Sequence, residues 1–230
     1  MDERDKRERI VEARMRLKAR FEREMADTPS LRDDTPGGSG PPNRHGMPQL
    51  PPGQTATDKW PVLDLGQKPT IRTHDWKLTV DGACDAPMTL RWADFMALEQ
   101  VRDTSDFHCV TTWSKFDMAW VGVRMSELIA RALPHDDARY VLCHAYDGYT
   151  TNLQLAECLK PDVLLVHTYA GKPLPIDHGG PVRVITPQLY AWKGAKWISR
   201  IELLRDEQLG FWEEQGYSST AYPWRDDRYS

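Results

Sequence analysis

The sequence predicts an α+β domain, and three observations carry that reading. Short strand-like runs are mixed with few helix-spaced ones between Lys59 and the C-terminus. Asp147-Gly148 separates two strand-like runs, Tyr140–Tyr146 and Tyr149–Leu155, as a hairpin turn does. Neither G-x-G-x-x-G nor G-x-x-x-x-G-K-[ST] occurs, so the usual doubly wound nucleotide-binding folds are unsupported.

Taken in order, residues 1–26 form a charged N-terminal helix. Asp5–Arg9 and Glu12–Arg16 stand four apart, which favours an exposed helix. Ile10, Val11, Met15, Leu17 and Phe21 give only a thin apolar stripe, so the helix is marginal unless it docks. Residues 27–57 turn to Pro, Gly and Ser and read as a disordered linker. The globular domain is placed at 58–230, starting near Lys59-Trp60-Pro61-Val62.

Within it, Trp76–Val80 alternates with period two and ends at Asp81-Gly82, a turn signal. Met88–Leu98 has helical spacing. Val101–Val110 is strand-like and delivers Cys109. Ser126 stands where an N-cap would, ahead of a helix with Leu128, Ile129, Ala132 and Leu133 on one face and Pro134 after it. Strands are expected at Val163–Thr168, Val182–Thr186 and Trp197–Leu204.

A formal charge of −4 argues against a nucleic-acid binder. No run approaches the roughly 18 apolar residues of a membrane span. The mixed-charge N-terminus has no apolar stretch behind it, so a cytoplasmic location is expected. Cys84, Cys109, Cys143 and Cys158 are scattered without C-x-x-C spacing, as free thiols would be.

Cys109 is the candidate functional thiol, because Thr111, Thr112, Ser114 and Lys115 follow it rather than core residues. Lys115 would lower a neighbouring thiol's pKa and favour the metal-binding thiolate. Far along the chain, His178-Gly179-Gly180-Pro181-Val182-Arg183 and Lys193-Gly194-Ala195-Lys196-Trp197 combine cations with glycines. A soft metal on sulfur, with an anionic cofactor tail held elsewhere, would suit that pattern.

The segment Cys109–Lys115 leading to Trp120-Val121-Gly122-Val123 resembles the cysteine segment of the sulfite oxidase-like molybdopterin oxidoreductases. Leu164–Arg183, with Gly171-Lys172-Pro173-Leu174-Pro175, resembles the family's pterin-binding stretch, as do Lys193–Trp197 and Gly210-Phe211-Trp212-Glu213. The likeness runs from about Lys59 to the C-terminus and is nearest the small bacterial members. It implies a mixed-sheet molybdopterin-binding domain that performs two-electron oxygen-atom transfer on a small substrate and exchanges electrons with an external redox protein. It further implies that Cys109 ligates molybdenum, that Arg183, Lys193 and Lys196 grip the pterin phosphate, that Gly194 admits close backbone approach, and that His178 hydrogen-bonds the cofactor. Trp60 lies near another pterin contact.

Two positions depart from the family. His167 stands where the sulfite oxidases carry a tyrosine, and their substrate arginines after the cysteine are missing, with Lys115 the nearest basic residue. Lys115 and His167 are therefore expected to orient the substrate, and sulfite itself is placed in doubt. Relatives that reduce peptide methionine sulfoxide leave the direction open. Competing readings are a zinc or iron hydrolase using His108, Cys109, Cys143 and His144, and a non-catalytic module recruiting a partner through its N-terminal helix. Strand alternation would let each His–Cys pair give only one ligand to a common centre.

Overall fold

A computed structural model describes residues 3–26 and 36–230. Helix α1 (Glu3–Ala26) comes first, followed by short strands β1 (Ser39–Pro42), β2 (Pro48–Leu50) and β3 (Thr55–Ala56). Then come β4 (Lys77–Gly82), β5 (Met88–Arg91), α2 (Trp92–Met96), β6 (Val101–Cys109), β7 (Trp113–Arg124) and α3 (Met125–Ala132). The rest is β8 (Tyr140–Ala145), β9 (Thr150–Gln154), α4 (Leu155–Cys158), β10 (Leu164–Tyr169), β11 (Lys172–Pro173), β12 (Arg183–Ile185) and β13 (Ile198–Leu204).

Two larger sheets share the domain. One has the order β5-β4-β13-β8-β9, with β4 and β13 parallel and the other pairs antiparallel. The second runs β11-β10-β7-β3, with β12 against β10 and β6 against β7. A main core joins Trp76, Leu78, Val80, Val141, Ile201 and Leu203 of the first sheet to α3 and the inner face of β7, β10 and β12. A smaller cluster of Met118, Trp120, Leu164, Val166, Leu174 and Ile185 occupies the other face of the second sheet. Alternating residues of β10 therefore serve different clusters, as the two-residue period of a strand requires.

The Asp147-Gly148 hairpin forms as read, with Tyr140 opposite Gln154 and His144 opposite Thr150. Met88–Leu98 is not one helix. Met88–Arg91 pairs with β4 as an edge strand and only the following turns are helical, with Phe95 the residue they bury. Helix α3 begins at Met125 with Arg124 before it, so Ser126 lies inside the first turn. It ends on Leu133, whose φ of 53° turns the chain toward Pro134 and leaves that side chain exposed.

The stretch 27–57, expected to be a linker, is described from residue 36 onward. Residues 27–35 lie outside the described residues, but 36–57 are ordered against the domain. Thr55 N donates to Thr112 O at 2.9 Å, and the Arg44 guanidinium pairs with Asp103. Composition misled here because Pro and Gly suit edge strands held by a neighbour as well as free coil. Helix α1 is docked rather than free. Ile10 and Val11 pack on the main core, Lys6 Nζ donates to Gly66 O at 2.8 Å, and Arg7 lies over the Phe211 ring. Among the described residues, no helix is long and apolar enough to cross a membrane.

Candidate functional site

Cys109 is the last residue of β6 and faces Trp113, the first of β7, across the hairpin. The turn between them is held from outside. Gln54 Nε2 donates to Cys109 O at 3.1 Å, and an Arg228 N–H donates to Val110 O. The thiol is 5 % exposed, and its Sγ lies 3.1 Å from Thr111 Oγ1. Burial raises its pKa, opposed by the Thr111 hydrogen bonds and by the charges of Arg14 and Arg228.

The thiol opens on a pocket of about 110 Å³ lined by residues of both sheets. Trp60, Phe107, Trp113, Trp192 and Trp212 wall it, and Arg183, Lys196 and Arg14 supply positive charge. His178 stacks face to face on Trp60, with ring centroids 3.6 Å apart and planes 5° apart. Burial first, then the Arg183 and Lys196 charges, bring its pKa down to about 4, so the imidazole is neutral at ordinary pH. The next residue, Gly179, has φ 106°, and a Cβ there would meet Arg183 and Lys196 at 3.0 and 2.9 Å. That glycine lets three functional side chains converge.

Arg183 is 3 % exposed and donates to the carbonyls of Val184, His178 and Gly194 at 3.2, 3.1 and 3.0 Å. Its guanidinium also lies 5.2 Å from the Phe107 centroid. Among the described residues no carboxylate pairs with it, and burial lowers its pKa to about 10. A buried guanidinium has more N–H donors than those carbonyls take up and needs negative charge beside it. Lys196 donates to Asp177 O at 2.9 Å and lies 3.8 Å from Asp64. Burial, then Arg183, bring it down to about 8.

Of the residues read from the sequence, Cys109, His178, Arg183, Gly194 and Lys196 line this one pocket. Three others do not. Lys193 turns the opposite way and is fully buried, donating to Asn152 O, Asn152 Oδ1 and Glu213 Oε1 at 2.9, 2.7 and 2.7 Å. With every ammonium proton engaged, it has none to offer a ligand. His167 sits at a bulge in β10 and lies edge-on to Trp92 and Phe95. One ring nitrogen contacts Gln100 at 3.0 Å and the other Thr168 at 2.9 Å. Lys115 shares the Phe107 register position, yet its ammonium reaches out to Asp58 O at 2.6 Å. Gly194 serves the protein's own packing, because a Cβ there would come 2.6 Å from Val184 O.

The hydrolase ligand set is not assembled. His108 contacts Ser114 Oγ at 2.8 Å on the far side of the strand, Cys143 is buried in the core, and His144 pairs with Glu202 at 2.9 Å. Among the described residues no group of three or more His, Cys, Asp or Glu could hold a metal. Sequence reasoning missed Arg14, Asp64, Asp147 and Tyr217 in the pocket wall. Arg14 had a signal, since positions 7, 10, 11, 14 and 18 fall on one face of a helix.

Comparison with known proteins shows the family to which the chain belongs. The profile of the oxidoreductase molybdopterin binding domain matches residues 65–212. The chain belongs to that family. It is 39 % identical over 183 residues to the uncharacterized oxidoreductase YuiH of Bacillus subtilis, covering 79 % of this chain and 92 % of that one. The catalytic subunit MsrP of a protein-methionine-sulfoxide reductase from Ralstonia nicotianae is 31 % identical over 67 % of this chain, and its Campylobacter jejuni counterpart 28 % over 73 %. The chain spans 53 % and 60 % of those two subunits. The sulfane dehydrogenase SoxCD of Paracoccus pantotrophus shares the fold, with a TM-score of 0.58 at 16 % identity over 66 % of this chain and 43 % of that one.

As a member of the molybdopterin binding family, the protein is an oxidoreductase with molybdenum and molybdopterin as its cofactor. The pocket residues fit that group. A thiol inside the pocket suits a soft metal, and an uncompensated buried guanidinium next to a lysine suits a phosphate.

Proposed function

We propose that the enzyme performs two-electron oxygen-atom transfer to or from a small substrate and exchanges electrons with an external redox protein. The observation that carries this is the sharing of one pocket by the Cys109 thiol and the Arg183 guanidinium. Bound molybdenum–molybdopterin supplies the two-electron chemistry. Cys109 is the protein's ligand to the metal, as a thiolate. Arg183 binds the pterin phosphate through its remaining N–H groups, and Lys196 adds a point charge. His178, neutral and stacked on Trp60, hydrogen-bonds the pterin with one ring nitrogen as donor and the other as acceptor. The aromatic walls keep water from this end of the pocket and strengthen each of those contacts. Lys193 holds the loop from beneath, and His167 and Lys115 have no part in substrate binding.

The likeness to MsrP supports S-oxides as substrates, and sulfite is the alternative that the family resemblance raises. The test is expression in a molybdopterin-competent host, followed by metal and pterin analysis and turnover of both substrates with artificial redox partners. Wild-type protein should carry molybdenum and pterin and turn over one of the two. Cys109→Ala should lose turnover by about a thousandfold or more, as removal of a group central to the chemistry does. Wild-type protein that carries neither molybdenum nor pterin would refute the proposal.

A further inference from the structure

Helix α1 lies outside the family-matched stretch of 65–212, yet one of its residues, Arg14, lines the pocket that holds Cys109 and Arg183. The helix is seated on the domain at three places. Lys6 Nζ donates to Gly66 O at 2.8 Å, the Arg7 guanidinium lies 4.7 Å from the Phe211 ring centroid, and Lys18 Nζ lies 5.9 Å from that of Tyr229. Between these seats Ile10 and Val11 pack on the main core. Positions 7, 10, 11, 14 and 18 share one face of the helix, so a single docking serves them all.

Each seat adjoins a residue of the pocket wall. Gly66 follows Leu65, Phe211 precedes Trp212, and Gly216, which Lys18 also covers, precedes Tyr217. Leu65, Trp212 and Tyr217 all line the pocket. The glycine seats have no room for a side chain. A Cβ on Gly66 would meet the Lys6 chain at 3.0 Å, and one on Gly216 would collide with Lys18 Nζ. Lys6 and Lys18 stand about 18 Å apart along the helix, so α1 reaches from the Leu65 wall to the Tyr217 wall and backs both. The apolar part of the contact is thin, with Ile10 and Val11 the α1 residues that pack on the main core. Docking of that strength responds to whatever else steadies the same walls.

We propose that α1 is part of the cofactor-binding unit, its docking and the retention of bound cofactor supporting each other through Arg14, Leu65, Trp212 and Tyr217. This rests on the cofactor reading above. An undocked helix takes Arg14 out of the wall and frees the three residues beside its seats. A filled pocket, in turn, holds those residues in the shape that α1 needs. Coupling of this kind acts in both directions. The apolar face of α1 is thus spent on its own domain and is closed to an outside partner.

The test uses full-length holoenzyme. Ile10→Asp with Val11→Asp undocks α1 without altering a residue of the pocket wall. Molybdenum and pterin should leave that variant about tenfold faster than wild type, measured on the protein after timed buffer exchange. Lys6→Gln with Lys18→Gln loosens only the ends of the helix and should speed the loss about threefold. The reverse direction is read on the wild type. Trypsin should cut within α1 about fivefold more slowly in holoenzyme than in cofactor-free protein, with the cuts mapped by mass spectrometry. The proposal is overturned if the Ile10→Asp, Val11→Asp variant, its α1 cut freely by trypsin, keeps cofactor as long as wild type. It is also overturned if bound cofactor leaves the wild-type cleavage rate unchanged, an arm that needs no variant to fold. Failure of the cofactor reading is recognised separately, by metal analysis of the wild type before either arm begins.

Discussion

Lys193 and Lys196 stand on one short loop and end in opposite environments. Lys193 is sealed in the core with Glu213 and Asn152 around its ammonium, whereas Lys196 lines the pocket beside Arg183. Around Lys193 every ammonium proton is taken. Glu213 Oε1 also accepts from Thr151 Oγ1 and Trp192 Nε1, each at 3.0 Å. Around Arg183 and Lys196 this does not hold, since a buried guanidinium meets only carbonyls and the nearest carboxylate to Lys196 is Asp64 at 3.8 Å. The contrast gives a rule for this fold: a buried cation whose protons are all taken by protein is architecture, and one with protons to spare awaits a ligand.

The largest expected effect falls on the closed cluster. Lys193→Met leaves Glu213 charged and unpaired in the core and should cost about 3–5 kcal/mol of unfolding free energy, measured by urea denaturation. The double change Lys193→Met with Glu213→Leu should recover most of that. A single variant as stable as wild type would break the contrast.

The open pair should behave in the opposite manner, through ligand rather than fold. Arg183→Gln is expected to lower pterin retention after gel filtration about 10- to 100-fold, in line with the loss of charge-assisted hydrogen bonds. Its urea midpoint should move far less than that of Lys193→Met.

The smallest effect is a pH dependence at Lys196, whose pKa lies near 8. Below that value the ammonium is charged and helps hold an anion. As pH rises through about 8 the charge is lost, so phosphate affinity of the cofactor-free protein should fall toward that of Lys196→Gln. Binding at pH 9 should be accompanied by proton uptake, because the bound anion favours the protonated form. Calorimetry in two buffers of different ionisation enthalpy measures that uptake, and its absence would blunt the comparison.

The same pair of lysines shows how far the sequence could be read. The order of motifs placed Cys109, His178, Arg183, Gly194 and Lys196 in one pocket, because residues facing a shared ligand recur in fixed sequence segments. Direction within a loop was not legible. The Ala191–Lys193 turn points Lys193 toward β9, and a bulge before Thr168 takes His167 out of the strand register that the sequence implied. The hairpin at Asp147-Gly148 and most strands followed from local pattern. The ordered stretch at 36–57 did not, since its stability comes from partners such as Thr112 and Asp103 that are remote in sequence. Arg14 was overlooked for a related reason: docking turned a thin stripe on a charged helix into part of a pocket wall.

The turn bearing Cys109 is fastened by Gln54 from one side and by Arg228 from the other. A nascent chain still lacking position 228 cannot yet close that double clasp. The turn that carries the sulfur therefore takes its final shape only after the last few residues have packed against it.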